Sequence, residues 1–198
     1  MPTLQKAIID QLRPTQLTIG KIEVEEKRKK LCAMTAKDRE KFLEDHPMPV
    51  VVGPENALYI TDHHHLARAA LAAKVTTGCF VVEDNLSKLS LQEFWPEMDK
   101  NLWVHPLDEN GVRHRYASIP RHLQDLVDDV YRSLAGFVRD AGGYEKTKTA
   151  FAEFIWADYF RRNVAIEDVR ADFGDAVKAA RRLARSPHAK GIPGFIDK

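Results

Sequence analysis

The apolar, alternating stretch "ALYIT" (57–61) reaches the alanine-rich stretch "HLARAALAAK" (65–74) through only Asp62, His63 and His64. The first has the period-2 pattern of a strand, and the second is built from strong helix formers. A fold that accepts this sequence must place a strand and a helix end to end, with almost no loop between them. The surrounding segments fit the same demand. "TAKDREKFLED" (35–45) opens with Thr35 and Asp38 in capping-box spacing and is stopped by Pro47, so it predicts a helix. "MPVVVG" (48–53) is a β-branched run closed by Gly53-Pro54, and "CFVV" (79–82) is a third strand entered through Gly78. The expected order is helix, strand, strand, helix, strand, a mixed α and β arrangement.

The remainder reads as helical. "SLQEFWPEM" starts with a Ser90/Glu93 capping box, and "WVHPLDENGVRHRY" (103–116) reads as a loop or hairpin around "DENG". Residues 119–141 predict a helix ended by Gly142-Gly143. In "AFAEFIWADYFRR" (150–162) the aromatic and aliphatic residues cover nearly every face, which predicts a buried helix. Glu153 and Asp158 then need partners, with Arg161 or Arg162 at hand. Residues 165–186 place Ile166, Val169, Phe173, Val177, Ala180 and Ala184 on one face, with acids first and arginines last, as the helix dipole favours. We therefore expect an α+β fold: a small mixed-sheet domain over residues 1–90 and a mostly helical extension over 91–198.

Charge weighs against one broad class of partner, which would need a local basic patch. Thirty Lys and Arg face 29 Asp and Glu. The balance is as even within segments: 10 basic and 9 acidic groups over 1–60, 6 and 8 over 61–117, 14 and 12 over 118–198. No global basic field draws in a polyanion, so nucleic acid is a disfavoured partner. The two cysteines, Cys32 and Cys79, have no metal-ligand spacing, and the N-terminal residues lack the apolar core of a signal peptide. No apolar run approaches membrane-spanning length. The expectation is a soluble cytoplasmic protein with no membrane partner.

The strand–helix seam is the candidate site. A helix N-terminus presents unpaired amides and the positive end of a dipole, which attract phosphate. Asp62 suits the N-cap, accepting from amides two and three residues on. His63, His64 and His65 fall in the first turn, where imidazoles donate to phosphate, ligate a metal or move protons. Consecutive helical residues point about 100° apart, so one metal takes at most two of them.

Two stretches, "LRPTQLTIGKIEVEEKRKKL" (12–31) and "HPMPVVVGPENALYITDHHHLARAAL" (46–71), resemble the ParB/sulfiredoxin superfamily, specifically its ParB-like nuclease branch. "EFWPEMDKNLWVHPLDENG", "YRSLAGFVRDAGGY" and "FAEFIWADYFR" resemble the helical part of that branch. The resemblance implies a phosphate-binding turn at His63–Ala69 that takes a nucleoside triphosphate, with Mg²⁺ bridging the phosphates. His65-Leu66 stands where relatives carry a His-Arg pair, and His64 stands where sulfiredoxins carry their cysteine, so peroxiredoxin repair is not expected.

On this reading the phosphate or nucleotide ligands are Gln16, Lys27, Asp62, His63, His64, His65 and Arg68, and the acid/base groups are His64, His65 and Glu25. The chemistry implied is phosphodiester cleavage or nucleotide-dependent phosphoryl transfer. The alternative is a non-catalytic, nucleotide-gated module that binds DNA or protein.

Overall fold

A computed structural model describes residues 3–197. The chain divides into two compact units: residues up to Ile19 with Val24–Asp128, and Gly20–Glu23 with the residues from Asp129 onward.

The first unit is built on a four-stranded sheet in the order β1-β5-β3-β4, from β1 (Gln5–Ile8), β3 (Met48–Val52), β4 (Leu58–Ile60) and β5 (Thr77–Asn85). β3 and β5 run parallel and the other pairs antiparallel, so the sheet is mixed. The unbroken "VVV" of β3 follows from cover on both faces. Val50 packs into one core with Ile60, Leu66, Ala67 and Ala70, while Val51 packs into another with Tyr59, Phe94 and Met98. Helix α3 (His64–Ala72) supplies the first side and α4 (Leu91–Lys100) the second. Residues 91–128 therefore belong with the sheet. The division falls after Asp128, and not near residue 90 where the sequence placed it, because the fully buried Phe94 and Met98 pack on the sheet.

The helix–strand–strand–helix–strand order appears as α2 (Ala36–Asp45), β3, β4, α3 and β5. Thr35 caps α2, accepting the amide of Asp38, and Ser90 with Glu93 forms the capping box of α4. Between Val50 and Val51 the β3–β5 register shifts by one residue, leaving Glu83 as the extra residue of a bulge.

The short strand β1 and α1 (Lys21–Ala33), whose sequence reads as a solvated charge run, lay outside the sequence reading, as did two further strands of two residues each. One expected helix is shorter than predicted. Residues 119–129 form no α-helix, only a single 3-10 turn at Leu123–Asp125: Leu123 and Leu126 are buried in the core of the first unit, and β6 (Val127–Asp128) pairs in parallel with β2 (Thr18–Ile19). Asp129 then caps α5 (Val130–Asp140) by accepting the Tyr131 amide.

The second unit packs α5 with α6 (Ala152–Asn163), α7 (Ile166–Ala171) and α8 (Phe173–Ala184) around Leu134, Trp156, Phe160, Val169 and Ala180. The single helix expected over 165–186 is broken at Asp172, whose extended backbone (φ −148°) and carboxylate cap α8 through the Asp175 amide. The predicted apolar face survives the break. α6 is central through Trp156 and Phe160, each fully buried, but Ile155 faces outward. Its acids find partners: Glu153 pairs with Arg139, and Asp158 with Arg161 on the same helix.

Candidate functional site

β4 ends at Ile60, and the chain enters α3 through Thr61, Asp62 and His63. The amide of Thr61 donates to Pro49 O at 3.0 Å. Its hydroxyl donates to Glu83 Oε2 at 2.6 Å, so the bulge in β5 supplies a carboxylate that holds the last residue before the turn. The reversal itself is made at one residue. His63 is the N-cap and adopts the left-handed conformation, φ 62° and ψ 22°, uncommon for a side chain with a Cβ. A left-handed residue at the head of a helix gathers successive amides toward one point, the geometry of an anion-binding nest.

Asp62 departs from its expected role. Its carboxylate accepts the amide of the next residue, His63, at 2.6 Å, and the cap position belongs to His63. The reason is the left-handed turn, which brings that amide closer to Asp62 than the amides inside the helix. Asp62 is exposed, and its negative charge stands at the mouth of the turn.

His64 and His65 are buried, 5% and 8% exposed. Nε2 of His64 accepts the backbone N–H of Thr15 at 3.2 Å, which requires a lone pair there and places the ring proton of a neutral imidazole on Nδ1. Thr15 is itself pinned, its hydroxyl donating to Ile60 O at 2.8 Å and its carbonyl accepting the His105 amide at 2.8 Å. The "RPTQ" segment is thus fastened to both the end of β4 and the start of α3. Arg13 extends the same seam, pairing its backbone with Leu58 and Ile60 and donating Nη1 to the Tyr59 hydroxyl at 3.0 Å.

Of the residues the sequence nominated, the structure gathers His63, His64, His65 and Arg68 along the start of α3, with Asp62 before it. Arg68 is half-buried one turn on. Gln16 is buried next to Thr15, but its amide donates to Thr18 O at 2.8 Å. Glu25 and Lys27 lie on α1. The Glu25 carboxylate is held by both Nε and Nη2 of Arg28, each at 2.7 Å, which keeps its charge and depresses its pKa below the usual carboxylate range. A base committed to a two-pronged guanidinium contact abstracts a proton poorly. Thr15 and Glu83 escaped the sequence reading. Thr15 sits inside the quoted "RPTQ", but nothing local marks its amide as a partner for a histidine 49 positions away.

These features define a class: a small α+β domain whose mixed sheet delivers a helix N-terminus through one left-handed histidine followed by two more. The chain belongs to the ParB-like nuclease family, whose model, described as "Putative ParB-like nuclease", matches residues 5–162. The crystal structure of protein Atu1540 from Agrobacterium tumefaciens is similar over 99% of this chain and 97% of that one, at 40% identity and a TM-score of 0.92. The chromosome-partitioning protein ParB from Caulobacter crescentus, solved in complex with CTP-gamma-S, aligns over 93% of each chain at 14% identity, with a TM-score of only 0.34. No curated protein matches the sequence.

Proposed function

We propose that the protein binds a phosphate-bearing small molecule, a nucleotide in the first instance, at the turn that opens α3. The observation that carries this reading is the left-handed His63 between β4 and a nine-residue helix. The turn aims the positive end of the helix at the mouth of the seam and converges the amides that an anion needs. His65 and Arg68 add donors on the same helix, and the Thr15–His64 bond holds the approach rigid.

Mg²⁺ fits as a cation carried with the phosphates. Among the described residues no group of three His, Cys, Asp or Glu side chains is placed to hold a metal. Mg²⁺ is commonly held by one or two carboxylates together with substrate phosphates and water. Asp62, exposed at the mouth, is the carboxylate for that role, and a cation there offsets its repulsion of the ligand. When bound, the ion supplies charge neutralisation for phosphoryl chemistry. The chain's own residues orient the ligand by amides, and His65 is the candidate for holding or moving a proton. The family's description favours hydrolysis of a phosphoester, whereas the commitment of Glu25 to Arg28 and of His64 to Thr15 favours the second reading, binding without turnover.

Titration calorimetry with nucleoside triphosphates, with and without Mg²⁺, tests the proposal, followed by product analysis over hours. Micromolar or tighter binding lost in Arg68→Ala and weakened by Mg²⁺ removal is the expected result. No binding by any triphosphate in either condition overturns it, and binding without product selects the non-catalytic module.

A further inference from the structure

At the other end of α3, α2 and the first residues of β5 enclose a cleft of about 280 Å³. Its lining includes Lys6, Arg39, Glu40, Lys74, Thr76 and Cys79. The Lys6 ammonium is compensated, lying 2.7 Å from Glu40 and 3.6 Å from Glu44. The other two cations are not. Arg39 reaches a backbone carbonyl, Leu31 O, at 3.4 Å, and Lys74 enters no ion pair among the described residues. Lys6, Arg39 and Lys74 set against Glu40 and Glu44 leave a net positive charge in and beside the cleft, which Thr76 also lines, and the two cations outside any ion pair are Arg39 and Lys74.

Lys74 also sits where its side chain is disfavoured. The amide of Val75 donates to Ala70 O and that of Lys74 to Leu71 O, both at 2.9 Å, the pattern of a Schellman motif with Lys74 as its left-handed residue. Its φ is 60°, a conformation glycine adopts without the clash a Cβ brings. A lysine held there keeps a cation on the rim of the cleft at some cost to the backbone, and such strain concentrates where a residue serves a ligand.

We propose that this cleft is a binding site for a compact oxyanion bearing two or more charges, held by Arg39 and Lys74. A guanidinium from α2 and an ammonium from the residue that closes α3 suit such an anion, the first as a fork and the second as a point charge. The site is distinct from the turn at the opposite end of α3 and does not depend on that reading.

The test uses the full chain with inorganic pyrophosphate and, separately, citrate, in Mg²⁺-free buffer. Amide NMR shifts locate each anion and titration gives its affinity. Shifts at Thr76, Thr77 and Gly78 are expected, with affinity falling about tenfold in Arg39→Gln and in Lys74→Gly, roughly the loss of one charge-assisted contact. Because glycine relieves the left-handed residue, Lys74→Gly should melt no lower than the parent, which separates lost binding from lost folding. Response to pyrophosphate alone identifies a phosphate site, and response to both anions a general oxyanion site. Shifts confined to residues 61–66, or unchanged affinity in Lys74→Gly, overturn the proposal. Shifts at 76–78 in a protein that binds no triphosphate at 61–66 leave this inference standing while the α3-turn reading fails.

Discussion

His64 is 5% exposed, and its Nε2 accepts the amide of Thr15. Removing the ring strands a buried donor, at a cost of about 1–3 kcal/mol. We expect His64→Ala to lower the urea midpoint accordingly, and His64→Gln, which retains an acceptor, to recover part of it. An unchanged midpoint in His64→Ala would show that the Thr15 contact is unimportant. Arg68 is the contrasting case: it is half-buried, so Arg68→Ala should reduce phosphate affinity with little change in melting. Asp108 yields a pH effect. Burial pushes its carboxyl up, but hydrogen bonds from His114 and from the amides of Val112 and Asn110 more than offset this and leave it below the ordinary value. An acid with a depressed folded-state pKa contributes stability above its unfolded value and loses it as pH falls through the folded value. The 107–113 hairpin should therefore hold its Val112 amide protection at neutral pH and lose it only below the usual carboxylate range. Loss of protection between pH 5 and 7 would contradict this.

Helix ends in this chain are closed by residues from neighbouring elements as well as by local caps. Ser133, fully buried in α5, accepts the amides of Ile22 at 3.2 Å and Glu23 at 3.3 Å, and so caps the start of α1 from a second helix. Ser133→Ala should destabilise by about 1 kcal/mol, the usual worth of an N-cap. Gly20→Ala should cost more. A Cβ at Gly20 would lie 2.5 Å from Ser133 Oγ, 2.6 Å from its N and 2.9 Å from its Cα. Overpacking against backbone costs about 1–3 kcal/mol or more. Because backbone atoms obstruct as well as the hydroxyl, Ser133→Ala should not rescue Gly20→Ala in a double-mutant cycle. Rescue there would mean the clash is with the hydroxyl alone.

At the scale of the whole molecule, the near balance of 30 basic and 29 acidic residues sets what it attracts from a distance. A polyanion gains little from a net charge of +1, whereas a mononucleotide needs only one turn and one or two local cations. Titration at physiological salt with Mg²⁺ should detect triphosphates before DNA or RNA, and any cleavage of nucleic acid should be slow. Tight, salt-sensitive nucleic-acid binding with efficient cleavage and no triphosphate binding would reverse this order. Among the described residues no helix is long and apolar enough to cross a membrane.

The order α2, β3, β4, α3, β5 and the apolar face of residues 166–184 were legible because periodicity and capping are local, written within a dozen residues. So was the position of the candidate site, since the abrupt change from "ALYIT" to "HLARAALAAK" admits no long loop. What escaped was set at a distance. β1 is a strand because Lys6 stands opposite Cys79, and β6 because Thr18 stands opposite Val127. Residues 119–129 left the expected helix because two leucines found a core elsewhere. At the site, sequence nominated three histidines as ligands, with His64 and His65 as acid/base groups, and could not see which contact each would make. The fold assigned His63 to the turn and His64 to the Thr15 amide. It also bound Glu25 to Arg28 and brought Glu83 beside Thr61. Sequence by itself determined α2, β3, β4, α3 and β5 and where strand gives way to helix, because those depend on neighbours along the chain. Which side chains meet there was decided by tertiary structure alone, because Thr15 and His64 come within hydrogen-bond reach only once the sheet has formed.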